Sequence, residues 1–393
     1  MSVATAITDL KERVGESFVA VSEMGGTLPE SRTTRTLPGA IRSITPKPNV
    51  KEVSFFGCGE VTSIDLRKPV ICEVTGTKDV LSFFGGCSKL TALTLPAGFG
   101  SNATDVSGCF NGCMRLTALT LPAGFGSNAT DVSGCFNGCS KLTALTLPAG
   151  FGSNATDVSG CFNGCSKLTS LTLPAGFGVK AQTLAKCFFQ NFDLGNLTLP
   201  DGFGSVATNV SGCFSGCYYG LTALTLPDGF GSVATNVADC FMACWRLTSL
   251  TLPDGFGSVA TNVADCFNGC KELTALTLPD GFGTKATKIT RLFYGCSKLT
   301  ALTLPDGFGG RAITTDYCFV GCSKLTDISG APTFRRSFTL ADSPLLTHDS
   351  LMVIINGLIK STSKNTLTLG ATNLAKLSDE EKKVATDKGW TLA

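Results

Sequence analysis

The sequence predicts an α/β repeat solenoid of about nine or ten coils, with short parallel strands, a helical N-terminal segment and a small α/β C-terminal cap. Three observations carry this. Residues 87–112, 113–138 and 139–164 read CSKLTALTLPAGFGSNATDVSGCFNG, with only Met114 and Arg115 departing in the middle copy. Pro96, Pro122, Pro148, Pro174, Pro200, Pro227, Pro253, Pro279 and Pro305 mark the same point in successive blocks, 26 residues apart except for one 27-residue step at Tyr218–Tyr219–Gly220. The pattern also degenerates at both ends, at Phe55, Gly57, Cys58, Phe83 and Phe84 on one side and over Cys318–Leu325 on the other. A block of this size cannot bury its apolar side alone, so the blocks stack, and the end blocks must be closed off from water. The chain therefore divides into a lead segment (1–50), a solenoid (51–330) and a cap (331–393).

In the lead segment Val3, Ile7, Leu10, Val14, Phe18 and Val21 recur at spacings of four, three, four, four and three. That is an a/d stripe over nearly three heptads, weakened by Gly15. It reads either as an oligomerisation or docking helix, or as a helix packed on the solenoid. Within one solenoid block, Leu116, Leu119 and Leu121 fit L-x-x-L-x-L. Leu119 and Leu121 point to one side of a short strand and Thr120 to the other. Pro122 ends the strand, because proline cannot donate to a ladder. Gly124–Phe125–Gly126 forms a tight return with a buried ring, and Val132, Cys135, Phe136 and Cys139 supply the opposite wall as irregular or 3₁₀ structure. Stacking at about 4.8 Å per coil gives a rod or arc of roughly 45–50 Å. The cap should hold a helix near 348–361, a strand at Thr366–Leu369, and a helix opened by Ser378 with Glu381 as a capping box. Gly389 ends that helix and Trp390 packs back.

Charged residues are 16% of the chain and net charge is +2, so neither a basic excess for nucleic acid nor an acidic tail is present. The N-terminus carries Asp9, Lys11, Glu12 and Arg13 with no long apolar run, and so reads as no secretory leader. Leu351–Ile359 is too short to span a bilayer. Membrane insertion is not expected.

Seven C-x-x-x-C pairs invite metal or disulfide readings: Cys109/Cys113, Cys135/Cys139, Cys161/Cys165, Cys213/Cys217, Cys240/Cys244, Cys266/Cys270 and Cys318/Cys322. Structural zinc favours C-x₂-C or Cys with His, and His348 is the sole histidine. Asn191 and Leu292 also replace one partner. The cysteines therefore read as reduced packing residues, with no metal and no cofactor. Thr120, Thr146, Thr172, Thr198, Thr225, Thr251, Thr277 and Thr303 should form a ladder on the exposed strand face. β-Propensity alone accounts for Thr there. The functional alternative is a flat, uncharged recognition surface for a glycan or a large protein face. Early blocks carry P-A-G with Asp105, Asp131 and Asp157, while later ones carry P-D-G (Asp201, Asp228, Asp254, Asp280, Asp306) with Asn209, Asn236 and Asn262. The acids suit turns; a cation between stacked carboxylates is the other reading. No catalytic set stands out. His348, Asp349 and Ser350 are consecutive and cannot converge as a relay, and Thr347 or Asp349 is better placed as a helix cap.

The string C-F-x-G-C-x-x-L-T-x-L-x-L-P, over about residues 80–325, resembles the BspA-type leucine-rich repeats of bacterial surface proteins and of phage and prophage proteins. Their pattern is A-F-x-x-C-x-x-L-x-x-I-x-I-P in a unit of about 23 residues. Here Cys replaces the small residue before Phe, and the unit is longer. Val19–Ile44 (VAVSEMGGTLPESRTTRTLPGAIRSI) looks like the lead of phage tail and fibre proteins. The run from LADSPLLTHDSLMVIINGLI to the C-terminus is similar to the closing segment of repeat proteins encoded by gut phages and prophages. These resemblances imply a non-enzymatic virion component, a head or tail fibre or adhesin. It would be made in the host cytoplasm, oligomeric or docked to other virion proteins, and would present the solenoid to a host surface protein or glycan. An intracellular protein–protein interaction scaffold is the alternative.

Overall fold

The computed structural model describes residues 55–66 and 80–393; the Val3–Val21 stripe lies outside them. The described chain forms two compact units. One comprises residues up to 181 together with 187–200, and the other 182–186 together with 201–393.

In the first unit each coil contributes one three-residue strand: β1 Ser63–Asp65, β2 Ala92–Thr94, β3 Ala118–Thr120, β4 Ala144–Thr146, β5 Ser170–Thr172 and β6 Asn196–Thr198. They pair in parallel as β1–β2, β3–β4 and β5–β6, with Leu119 opposite Leu145. Period-2 alternation buries Leu119 and Leu121 and exposes Ala118 and Thr120, as predicted. After the strand, Gly124 and Gly126 take φ of +79° and +64°. A Cβ on Gly126 would stand 2.9 Å from Phe151 Cδ2 of the next coil, so only glycine admits that ring. Two ring columns fill the core. Phe110–Phe136 and Phe136–Phe162 stack at 5.5 and 5.4 Å, and Phe99–Phe125 and Phe125–Phe151 at 6.0 Å.

The wall opposite the strands is neither irregular nor 3₁₀. Its backbone donors alternate between two destinations. Val132, Gly134, Phe136 and Gly138 donate to Asp157, Ser159, Cys161 and Asn163 of the next coil at 3.1, 2.8, 2.8 and 2.7 Å. Cys135, Asn137 and Cys139 close turns on Val132, Gly134 and Phe136 within their own coil. Ser133 N–H completes the set by donating to Asp131 Oδ1 at 2.8 Å. Every donor from 132 to 139 is thus satisfied, as a buried wall requires, and a helix could not form while half of them bond sideways.

The second unit repeats this plan with β7 Ala223–Thr225, β8 Ser249–Thr251, β9 Ala275–Thr277, β10 Ala301–Leu304 and β11 Asp327–Gly330, paired as β7–β8 and β9–β10–β11. Here Ser211 N–H donates to Asn209 Oδ1 at 3.0 Å. The exchange of Asp for Asn between blocks therefore preserves one Asx-type bond. Four consecutive coils place Asp239, Asp265, Arg291 and Tyr317 at φ of +51° to +58°, where the first unit has Gly108, Gly134 and Gly160.

After β11, side chains replace the missing next coil. Ile328 N–H donates to Ser350 Oγ at 2.8 Å, and that hydroxyl donates to the Thr326 carbonyl at 3.2 Å. Ser343 Oγ donates to the Cys322 carbonyl at 3.0 Å, and Gly321 N–H to Asp342 Oδ2 at 3.0 Å. Following β12 (Phe338–Thr339), α1 spans His348–Asn356 with Thr347 as its N-cap. It ends short of the predicted residue 361. Gly357 packs on the Pro332 carbonyl, and Ile359 N–H donates to Phe334 at 3.0 Å, so the following residues leave the helix to form a bridge. The predicted strand is β13, Asn365–Thr368, flanked by β12 and by β14, Trp390–Leu392. Two short elements were not foreseen: α2, Gly370–Leu374, and β14 itself. α3, Asp379–Asp387, carries the predicted Ser378/Glu381 capping box. Trp390 is buried and donates to the Ile359 carbonyl at 2.8 Å.

Candidate functional site

Three threonines recur in each coil, and the structure separates them. Those before the strand bond across coils: Thr143 Oγ1 donates to the Thr117 carbonyl at 3.0 Å in the first unit, and Thr248 to Thr222 at 2.9 Å in the second. Those before the Asx turn do likewise, Thr156 to Thr130 at 3.2 Å and Thr261 to Thr235 at 3.3 Å. The strand threonines Thr120, Thr146, Thr172, Thr198, Thr225, Thr251 and Thr277 are exposed. Among the described residues no side-chain partner engages their hydroxyls. Thr303 differs: it is half-buried, and its hydroxyl lies 3.1 Å from Ser329 Oγ. Ala118, Ala144, Ser170 and Asn196 accompany the ladder in the first unit, and Ala223, Ser249 and Ala275 in the second, all exposed. The face is small, polar and uncharged, with hydroxyls at coil spacing.

Charge lies at the two ends of each strand in the second unit. Before the strands stand Arg246, Lys271, Lys298 and Lys324, all exposed save that Lys298 pairs with Glu272 at 2.6 Å. After them stand Asp201, Asp228, Asp254, Asp280 and Asp306, exposed and without side-chain partners. The turn itself does not demand the acid: Gly124 after Ala123 and Gly255 after Asp254 share φ of +79° and +75°.

One feature at the leading corner escaped the sequence reading. Trp245 is clasped between Tyr218, stacked at 4.3 Å from the preceding coil, and Lys271, whose Nζ lies 4.6 Å from the ring in the following coil. Tyr219 meets Trp245 edge-on at 5.8 Å and is 54% exposed. The 27-residue step was the visible signal; which side chains it stacked depended on coil geometry.

The cysteines line the core rather than a site. Cys109, Cys135, Cys161, Cys240 and Cys266 are buried free thiols, and burial pushes their pKa values up. The second member of each pair has a further task, since Cys139 Sγ donates to the Phe110 carbonyl and Cys165 Sγ to Phe136, both at 3.2 Å. Among the described residues no group of His, Cys, Asp and Glu could hold a metal ion, and no helix is long and apolar enough to cross a membrane. His348, Asp349 and Ser350 do not converge. His348 Nε2 meets Glu381 Oε1 at 2.8 Å, while Ser350 seals the edge of β11.

The motif C-F-x-G-C-x-x-L-T-x-L-x-L-P is thus one coil of both units, its leucines inward and its turns bonded to the next coil. A family model described as BspA type leucine-rich repeat region (6 copies) matches residues 48–177, 82–220, 133–263 and 235–339. The chain belongs to this family. Solved leucine-rich repeat structures resemble it at low identity. A leucine-rich cell surface protein of Faecalibacterium prausnitzii A2-165 is 20% identical, with 70% of this chain and 75% of that one covered and a TM-score of 0.40. A leucine-rich repeat protein of Bacteroides ovatus ATCC 8483 is 16% identical over 85% and 87%, with a TM-score of 0.43. The pneumococcal vaccine antigen PcpA is 17% identical over 79% and 64%, with a TM-score of 0.35. No curated protein matches the chain.

Proposed function

We propose that this BspA-type repeat chain is a non-enzymatic recognition protein whose strand face is the binding surface. The observation that carries this is the division of labour among the threonines: two ladders spend their hydroxyls on the neighbouring coil, and the strand ladder does not. An array of unspent hydroxyls among Ala, Ser and Asn offers many weak contacts over a broad area, which suits a large protein face or a glycan better than a small molecule enclosed in a pocket. The flanking segments support a place on a phage particle, as a head or tail fibre or adhesin facing a host surface. In that reading the protein is made in the host cytoplasm, and the Val3–Val21 stripe docks it to other virion proteins or to copies of itself.

The test has two arms. Mass spectrometry of purified particles should detect the protein, and labelled protein should bind host cells. Replacing Thr120, Thr146 and Thr172 by Lys should abolish that binding while leaving the melting transition in place. Binding unchanged by the lysines would remove the strand face from the reading. A protein found in infected cells but absent from particles would favour an intracellular interaction scaffold instead.

A further inference from the structure

We infer that the strand face of the second unit docks onto a second copy of this chain, related by a two-fold axis parallel to the direction in which the coils stack. The inference rests on the strand face being a binding surface and names the partner for the part of it borne by the second unit.

The argument begins at the leading corner. Trp245 has Tyr218 one coil before it and Lys271 one coil after it, so neither ring face is open to stack on a sugar. What the corner offers outward is the exposed Tyr219 and the cations Arg246 and Lys271, with no carboxylate paired to either. Tyr, Trp and Arg are the residues that dominate protein interfaces. All four tyrosines and both tryptophans of the chain lie after residue 200. The occupant should be a protein surface bearing carboxylates.

The chain itself carries one at matching spacing. Asp228, Asp254 and Asp280 follow the same strands that Tyr219, Arg246 and Lys271 precede, and none has a partner. The first unit builds the corresponding turn with Ala123, Ala149 and Ala175, so these acids are not there to make the turn. Stacked at coil spacing they repel one another, and a line of cations would relieve that. Between the two charged lines lie only Ala, Ser and Thr.

Symmetry then selects one arrangement. Two faces packed against each other by a two-fold axis form an isologous contact. An axis along the strands would set cations on cations. An axis along the stacking direction sets the leading corner of one copy on the trailing turn of the other and keeps each coil level with its own equivalent. Arg246 therefore faces the second copy's Asp254, and Lys271 faces its Asp280.

The test uses the full chain and two variants, Arg246→Glu with Lys271→Glu, and Asp254→Lys with Asp280→Lys. Light scattering should show a dimer step that weakens with salt. Each variant alone should raise the dimer dissociation constant by at least about tenfold, because both contact lines become repulsive. Mixing the two variants should restore dimers, since each line then joins opposite charges. In a Trp390→Phe background, Trp245 emission should shift to shorter wavelength as chain concentration rises, and this should vanish in each variant. Unchanged mass in the single variants, or no recovery on mixing variants whose melting transitions are intact, overturns the inference. Host-cell binding is read separately on the Thr120, Thr146 and Thr172 variant, so loss of the dimer and loss of the recognition role are distinguishable.

Discussion

Asn191 Nδ2 donates to the Phe162 carbonyl at 2.9 Å, across one coil boundary. In other coils a cysteine occupies that position, and its thiol reaches the equivalent carbonyl, as Cys139 does Phe110 at 3.2 Å and Cys270 does Phe241 at 3.3 Å. The replacement conserves a donor, not a sulfur. The second cysteine of each C-x-x-x-C pair is therefore a small core residue that also ties its coil to the one before.

Substitutions at the two cysteines of one pair should follow opposite orders. At Cys139, Ser keeps a donor for Phe110, so Cys139→Ala should cost about 1–2 kcal/mol and Cys139→Ser less. Cys135 donates no such bond, so Cys135→Ser should cost more than Cys135→Ala, because a hydroxyl is buried without an acceptor. Urea denaturation of the four variants decides the matter, and the same order at both positions would refute the assignment.

Burial holds the thiols of Cys165, Cys270 and Cys322 protonated, with pKa pushed up to about 12. Native protein should react slowly with a disulfide reagent at pH 8, and all nineteen thiols should titrate after denaturation. The sign of the stability effect follows. Unfolded thiols ionise near their usual 9.0 and native ones do not, so stability is intact below that pH and falls as pH rises above it. Chemical denaturation at pH 7 and pH 10 measures the drop; equal midpoints would contradict it.

Removing residues 113–138 in register should leave a folded protein with a smaller unfolding enthalpy, since solenoid stability is close to a sum of coil and nearest-neighbour terms. A half-coil deletion, 113–125, should fail, because it sets a strand against a turn. Calorimetry of both deletions is the check. A soluble, cooperative half-coil deletion would mean that the repeat boundary is misplaced.

Ser350 seals the last strand by serving both the N–H of Ile328 and the carbonyl of Thr326. Ser350→Ala leaves two buried backbone groups without those partners and should cost about 1–3 kcal/mol. An opened strand edge also templates pairing with another chain. Thermal melts and light scattering on heating should show a lower midpoint and earlier aggregation. A midpoint equal to wild type would show that water replaces the hydroxyl at no cost.

His348 is raised above its usual 6.5 chiefly by its hydrogen bond to Glu381, and Glu381 is lowered below 4.5 chiefly by the Ser378 backbone N–H, then by His348. The histidine contribution is complete below about 6.5 and is lost as pH rises through the raised value. The glutamate contribution is complete above about 4.5 and is lost as pH falls through the lowered one. The pair should therefore help most between those limits. Melting temperatures of wild type and His348→Gln should differ there and converge at pH 8. A difference that grows toward pH 8 would have the wrong sign.

Much of the fold was legible because a repeat writes the same physical instruction many times. The i, i+2 leucines, the proline that ends each strand and the glycines around Phe125 are local requirements, and local requirements survive in the sequence. The Ser378/Glu381 box was legible for the same reason. The end of α1 was not: Gly357 stops it only because Pro332 and Phe334 wait there, and that contact joins residues more than twenty positions apart. The candidate face was legible in outline as a column of threonines.

What the sequence by itself determined was the coil, its register and its interior, since each follows from spacing within 26 residues. Tertiary structure decided which of three threonine columns keeps its hydroxyls. It likewise decided that half of the paired cysteines are donors, and that Tyr218, Trp245 and Lys271 form one clasp. Those facts depend on what the neighbouring coil presents at a given height. A hydroxyl, a thiol or a ring acquires its role only when stacking brings a carbonyl, an indole or open water to face it.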